Sequence, residues 1–313
     1  MKFEIYGAST DVDTYLAESL AQKLSKDTND RTNGETVIEV VFSSYLEIDY
    51  VRKMKELERQ YGGALLTHKA THVVLRDGKY VGTVEKLKEI AVREFHVDDI
   101  EHFGNTIVLN RQSREDYQAA IFKSGRPTVF LDFADGYKGK RGEEESLAPP
   151  PQYGRIVIEL FSDRVPLACE NFTKLCTGEL GATDEAKLHY VACPIHRVVP
   201  GGWIQCGDIV TGTGASSLAA IGENGRLAEE SFTCDFSDPL GGIVGYSTSE
   251  PHTIGSQFFI TLGACQWMNG QFEGIGRVVQ GFPVLRRIES AELANQRPVR
   301  PVIVVDCGKQ EFK

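Results

Sequence analysis

The stretch Pro194–Asp208, PIHRVVPGGWIQCGD, constrains what this chain can fold into more than any other. Ile195–Val199 is a short apolar run interrupted by His196 and Arg197. Pro200-Gly201-Gly202 reads as a turn, because Pro presets φ and Gly tolerates positive φ. Trp203-Ile204-Gln205 then resumes an extended run. A second run, Gly255-Ser256-Gln257-Phe258-Phe259-Ile260, lies farther along the chain. Alternate side chains on a strand share a face. Arg197 is therefore expected beside Val199, and Gln257 beside Phe259 and Thr261. The pattern predicts a groove in which an Arg, two Gln (Gln205 and Gln257) and a Phe combine hydrogen bonding with an apolar floor.

The chain has 313 residues, enough for two domains with a core in each. Its net charge of -10 argues against a phosphate-backbone partner, so no nucleic acid is expected. No apolar run approaches the length of a membrane span, and no membrane partner is expected. Met1–Tyr6 lacks the apolar core of a secretory leader. The 7 Cys all fall between Cys169 and Cys307, odd in number and scattered. That pattern predicts free, buried thiols in a reducing compartment.

Residues 1–103 read as a small α/β domain. Lys2–Tyr6 alternates like a strand. Thr10–Leu24 has Val12, Leu16, Leu20 and Leu24 at helical spacing, with Ser9 or Thr10 as N-cap. Asp27–Glu35 is polar and loop-like, Val37–Phe42 a strand, and Asp49–Tyr61 an amphipathic helix. His72–Gly82 is a hairpin around Asp77-Gly78, and Thr83–Phe95 a last helix. This β-α-β-α-β-β-α order resembles a thioredoxin or glutaredoxin domain. The redox chemistry of that family needs a low-pKa Cys at the first helix N-terminus. Gly7-Ala8-Ser9-Thr10 stands there instead, and Lys69-Ala70-Thr71-His72 replaces the family's Pro. A thiol-free docking or scaffold domain is the expectation.

Residues 104–127 read as a connector with a helix at Arg114–Phe122, and 128–313 as the second domain. Thr128–Phe133 is its first strand. The Lys-, Glu- and Pro-rich segment 134–153 reads as an inserted surface loop. Its Pro149-Pro150-Pro151 could also serve as a polyproline ligand, but a solvated spacer fits the composition better. Ile156–Phe161, Gly242–Ser249, Gly255–Leu262, Gly274–Val279 and Val302–Cys307 read as strands. Val165–Cys176 and Phe282–Ala291 read as helices, and Gly263–Met268 as a helical turn. Thr211–Ile221, TGTGASSLAAI, looks like a phosphate cradle but lacks the Lys and the strand–helix context of one.

The second domain resembles the cyclophilins, the family of peptidyl-prolyl cis-trans isomerases. The resemblance rests on Gly154–Phe161 (GRIVIELF), Val165-Pro166, Glu170-Asn171-Phe172, Leu175–Glu179 (LCTGE), His196–Gly201 (HRVVPG), Gln205–Asp208 (QCGD) and Gly255–Thr261 (GSQFFIT). It implies a mostly-β, closed eight-stranded barrel capped by two helices. It also implies an activity. Amide resonance holds an Xaa-Pro bond planar, and the resonance is lost when the bond twists. A cationic donor near the proline nitrogen and a dry seat for the ring favour the twisted state. By resemblance Arg197 is that donor, with His196 beside it. Gln205 and Gln257 hold the peptide backbone, and Phe259 floors the proline seat. The partners implied are proline-containing peptide or protein segments, and neither a cofactor nor a metal is needed.

Several family positions are altered. The aromatic after Pro-Gly is Gly202, with Trp203 one place on. A substrate-binding Ala-Asn pair reads Ser247-Thr248; Trp267 is kept but is followed by Met268; a pocket His is Phe272. Gly202-Trp203-Ile204-Gln205, Phe272 and Asn295-Gln296-Arg297-Pro298 resemble one divergent branch that also carries an N-terminal extension of this size. That branch implies a cytoplasmic protein of ciliated cells with an assembly partner in the axoneme.

Other readings compete at single positions. Arg197 could be a structural ion-pair partner. His189, Cys193 and His196 have spacings a metal could use, but no fourth ligand accompanies them. Two functions remain: a protein that binds Xaa-Pro segments as part of an assembly, with weak isomerase activity, and a fully active isomerase that catalyses folding. Gly202, Thr248 and Phe272 favour the first. Intact Arg197, Gln205, Gln257 and Phe259 favour the second.

Overall fold

The computed structural model describes residues 1–97, 104–136, 152–247 and 252–311. They form two compact units, Met1–Lys123 and Ser124–Lys313.

The first unit runs β1 (Lys2–Ala8), α1 (Val12–Arg31), β2 (Glu39–Tyr45), α2 (Glu47–Tyr61), β3 (His72–Arg76), β4 (Lys79–Gly82), α3 (Val84–Phe95) and α4 (Thr106–Phe122). Its mixed sheet has the order β2-β1-β3-β4. β1 and β2 are parallel, and the other pairs are antiparallel. Successive side chains of β3 enter opposite faces, as strand geometry requires. Val74 packs with Phe3, Ile5, Leu20 and Leu87, while Val73 and Leu75 pack with Tyr50, Met54 and Leu57. The hairpin from β3 to β4 turns at Asp77 and Gly78, both with positive φ, as a two-residue turn demands.

Three local readings change. The N-cap of α1 is Asp11, which accepts from Asp13 N at 3.1 Å, not Ser9 or Thr10. The helix also continues through Arg31 into the segment expected to be a loop. Tertiary tethers hold that polar end: Ser25 Oγ donates to Ile38 O at 2.6 Å and Arg31 Nη1 to Phe95 O at 2.7 Å. In the segment read as a connector, α4 begins at Thr106 rather than Arg114, and Asn105 caps it. Leu109 and Ile121 are buried, and Ser113 Oγ donates to Ser9 O at 2.6 Å. That helix belongs to the first unit.

The loops before α1 and β3 meet around His72. Val84 N donates to His72 Nε2 at 2.9 Å, so the ring proton sits on Nδ1, which donates to Asp11 Oδ2 at 2.8 Å. Thr71 Oγ1 donates to the same oxygen at 2.7 Å. Burial alone would raise the Asp11 carboxyl, but the bonds from His72 and Thr71 outweigh it and lower its pKa.

The second unit contains β5 (Thr128–Asp135), β6 (Gln152–Leu160), α5 (Pro166–Thr177), β7 (Arg197–Val199), β8 (Trp203–Cys206), β9 (Leu227–Ala228), β10 (Ile243–Tyr246), β11 (Thr253–Ile254), β12 (Phe258–Thr261), β13 (Gly274–Gln280), α6 (Phe282–Glu289), β14 (Leu293–Ala294), β15 (Arg297–Pro298) and β16 (Val302–Lys309). Eight strands form one antiparallel sheet in the order β16-β5-β6-β13-β10-β12-β8-β7. Residues just before β7 join its two edges. Ala192 N donates to Val304 O at 2.8 Å, Val304 N to Cys193 O at 3.0 Å, and Ile195 N to Val302 O at 2.8 Å. The sheet thus closes on itself as the sequence predicts. Helix α5 packs on β5, β13 and β16, and α6 on β6 and β7. Phe172, Tyr190, Tyr246 and Phe258 form a mostly edge-to-face ring cluster in the core. All seven Cys are free and buried.

Strand β5 reaches Asp135, past the expected start of the inserted loop at 134. Ala134 pairs with Ile303, and Asp135 binds Arg300 at 2.7 Å, so both are held by β16 and its approach. Strand β6 resumes at Gln152, and the rest of that loop, 137–151, lies outside the described residues.

Replacing His72 by Ala leaves Asp11 and the Val84 N–H without their partner. We expect a loss of about 2 kcal/mol in the first unit, read by urea denaturation. An unchanged midpoint would show that water replaces the ring at no cost.

Candidate functional site

The predicted groove is a single row across the sheet. Arg197 of β7 stands opposite Gln205 of β8, Gln205 opposite Phe259 of β12, and Phe259 opposite Gly245 of β10. Directly opposed residues of antiparallel strands share a face. Trp203, paired with Val199 and Thr261, forms the next rung on that face. The short turn between β7 and β8 keeps the two rungs in register, and Glu289 Oε1 accepts from Gly201 N there at 2.7 Å.

The amide of Gln205 is held from two sides. Its Nε2 donates to Ser247 Oγ at 2.8 Å and to Gln257 Oε1 at 3.0 Å. The Nε2 of Gln257 donates in turn to Gly214 O at 3.0 Å and Ser216 O at 2.9 Å. Those carbonyls belong to the Gly/Ser-rich loop that resembles a phosphate cradle. Its N–H groups do converge on an anion, and the anion is Asp208. The carboxylate accepts from the N–H groups of Val210, Thr211, Thr213, Gly214 and Ser216 at 2.8–3.2 Å, and from Thr211 Oγ1 at 2.5 Å. Burial alone would raise this carboxyl. The Thr211 hydroxyl and the N–H groups of Thr211, Ser216 and Gly214 outweigh burial and hold the pKa at about 2.

His196 does not stand on the row. It is buried, and a Cβ on Gly214 would meet the ring at 2.6 Å. Burial pushes its pKa down, so it is a neutral ring under the loop. Thr248 lies outside the described residues. His189 and Cys193 each engage a backbone carbonyl, of Cys176 and Asp208 respectively. No three metal-ligating side chains gather among the described residues.

Aromatic rings close the other half of the groove. The Arg197 guanidinium lies over Trp203, 5.3 Å from the ring centroid. Trp203 meets Trp267 edge-on at 5.7 Å, Trp267 meets Phe272 at 5.8 Å, and Phe272 meets Phe259 at 5.5 Å and 88°. Phe236 lies on Phe259 at 5.8 Å. Phe259, the expected floor of a ring-binding seat, is only 2% exposed, and Met268 is equally buried. Trp267 remains 52% exposed. The arrangement sets a cation, a fixed amide and an exposed indole beside a Phe259 that the chain's own rings pack against.

Comparison with known proteins fixes the family. The family model described as "Cyclophilin type peptidyl-prolyl cis-trans isomerase/CLD" matches residues 150–309. The chain belongs to the cyclophilin family. Among similar proteins, the human "Probable inactive peptidyl-prolyl cis-trans isomerase-like 6" is 27% identical over 295 residues, covering 94% of this chain and 86% of that protein. The protein of the same name from Bos taurus is 36% identical over 157 residues, half of each chain. "Peptidyl-prolyl cis-trans isomerase CYP21-1" of Arabidopsis thaliana is 40% identical over 198 residues, 58% of this chain and 87% of that protein.

The sequence reading missed two contributors to this cyclophilin groove. A Cβ on Gly245 would strike the Phe259 ring at 2.5 Å, so that Gly makes room for the floor. An isolated Gly within a strand such as Ile243–Tyr246 is the signal for such an approach. Phe236 sits in an irregular segment with no periodicity to expose it.

Asp208 sets an acid limit on the groove. A carboxyl depressed on folding contributes stability that is complete above its unfolded pKa, about 4, and lost as pH falls toward its folded value of about 2. Asp208→Asn should lower stability at neutral pH and flatten its dependence across that acid window. Parallel acid-unfolding curves for the two proteins would contradict this.

Proposed function

We propose that the cyclophilin barrel binds Xaa-Pro segments of proteins as a docking surface, with weak isomerase activity. The observation that carries this reading is the buried Phe259. A proline ring needs a dry, vacant seat, and here Phe272 stands edge-on over the floor at 5.5 Å with Trp267 against it. Arg197, Gln205 and the exposed Trp267 still offer contacts along a peptide. Binding without differential stabilisation of the twisted bond does not speed its isomerisation. The relatives named as probable inactive isomerases support the same reading.

The first unit fits this role as a thioredoxin-like domain without its thiol. Its sheet order, β2-β1-β3-β4 with β1 and β2 parallel, supports that assignment. Next to Gly7-Ala8-Ser9-Thr10, which stand where that family has its Cys, Asp11 is paired with His72. Resemblance to the divergent branch extends the reading to a cytoplasmic, ciliary assembly with an axonemal partner. Among the described residues no helix is long and apolar enough to cross a membrane.

An active folding catalyst is the second reading, favoured by the retained Arg197–Gln205–Phe259 row and by the Arabidopsis relative named as an isomerase. A protease-coupled assay of an Ala-Pro peptide at low temperature separates the two. We expect a small rate above background that disappears in Arg197→Ala. Phe272→Ala, which unroofs Phe259, should raise the rate about tenfold, the equivalent of ~1.4 kcal/mol. A fast wild type that Phe272→Ala fails to improve would favour the second reading and reject the first.

A further inference from the structure

Asn295 and Gln296 join β14 to β15 in a two-residue turn, and both have positive φ, 51° and 65°. In such mirror-image turns Gly ordinarily takes the second place. A Gln there carries backbone strain that Gly would relieve, and strain of this kind points toward a role for the side chain. Gln296 Oε1 accepts from Arg197 Nε at 2.8 Å. The Gln296 carbonyl accepts from Val198 N at 2.6 Å, and Arg297 Nη2 donates to Thr213 O at 2.6 Å. The hairpin is therefore docked on β7 at one point and on the Asp208-bound loop at another.

We propose that Gln296 is a positioning residue for Arg197. It holds the guanidinium by Nε while Trp203 supports its face, and neither Nη has a hydrogen-bond partner among the described residues. Those two groups are then free to meet a carbonyl of the bound segment. The assignment rests on the reading that this groove binds Xaa-Pro peptides. The contact is exposed to solvent, so its effect lies in orientation rather than in fold stability.

The test is a double-mutant cycle in the full chain. Gln296→Gly and Gln296→Glu are each made with Arg197 and with Arg197→Ala. Two quantities are read by NMR: the affinity for an Ala-Pro peptide and the Arg197 Nε–H resonance. Gln296→Gly should weaken the peptide about fivefold, move the Nε–H resonance and leave the Tm unchanged or raised, because Gly relieves the strain of the turn. Gln296→Glu keeps an acceptor at the same reach and should restore both readouts. With Arg197→Ala in place, Gln296→Gly should not change the affinity further. A resonance unmoved by Gln296→Gly, or an equal loss of affinity without Arg197, would overturn the assignment. A resonance that moves while no variant binds peptide, wild type included, would uphold the positioning of Arg197 and defeat the peptide-binding reading.

Discussion

The groove depends on one buried carboxylate. Asp208 gathers five backbone N–H groups and a hydroxyl of the loop that follows it. Those groups would otherwise lack partners in a segment too irregular to form strand or helix. With the loop so folded, its carbonyls at Gly214 and Ser216 face Gln257 and fix that amide. Gln257 in turn fixes Gln205, which stands between Arg197 and Phe259. A chain of hydrogen bonds thus runs from one anion to the middle of the Arg197–Gln205–Phe259 row. His196, roofed by Gly214, fills the space beneath the same loop.

On the proposed reading, the aromatic half of the site works against turnover. Isomerising an Xaa-Pro bond requires no nucleophile or metal, only that a twisted amide be held better than a planar one. That preference depends on where the ring sits. Trp203, Trp267 and Phe272 form a continuous edge-to-face series that ends on Phe259. Such pairs contribute about 0.5–1.5 kcal/mol each beyond their buried area, so displacing Phe272 to admit a proline ring opposes binding there. The exposed indole of Trp267 and the stacked Arg197 remain available to a peptide that does not enter the seat. The retained polar contacts beside a buried Phe259 are what support the proposed reading of a binding surface over a catalyst.

Much of this was legible in the sequence. The alternation in Arg197–Val199, Trp203–Gln205 and Gln257–Thr261 specified the shared face, because a one-residue slip would have turned Arg197 and Phe259 inward. The hairpin at Asp77-Gly78 and the cores of most helices were readable from turn chemistry and spacing. What escaped depends on tertiary contact. The end of α1 is polar and shows no apolar stripe, yet Ser25 and Arg31 tie it to distant carbonyls. The start of α4 depends on Asn105 and on docking to Ser9. The Asp208 nest is a matter of backbone direction, which residue identity does not reveal. The contact between Arg197 and Gln296 spans the distance between two hairpins that nothing local connects.

The central claim is that the cyclophilin groove holds an Xaa-Pro segment without readily turning over its proline bond. Exchange spectroscopy on an Ala-Pro peptide, with and without the full-length protein, reads both properties at once. The account predicts that the peptide resonances shift on binding while cis–trans exchange stays near its slow, uncatalysed rate. Rapid exchange with the unaltered protein would contradict it, as would peptide resonances that do not shift at all.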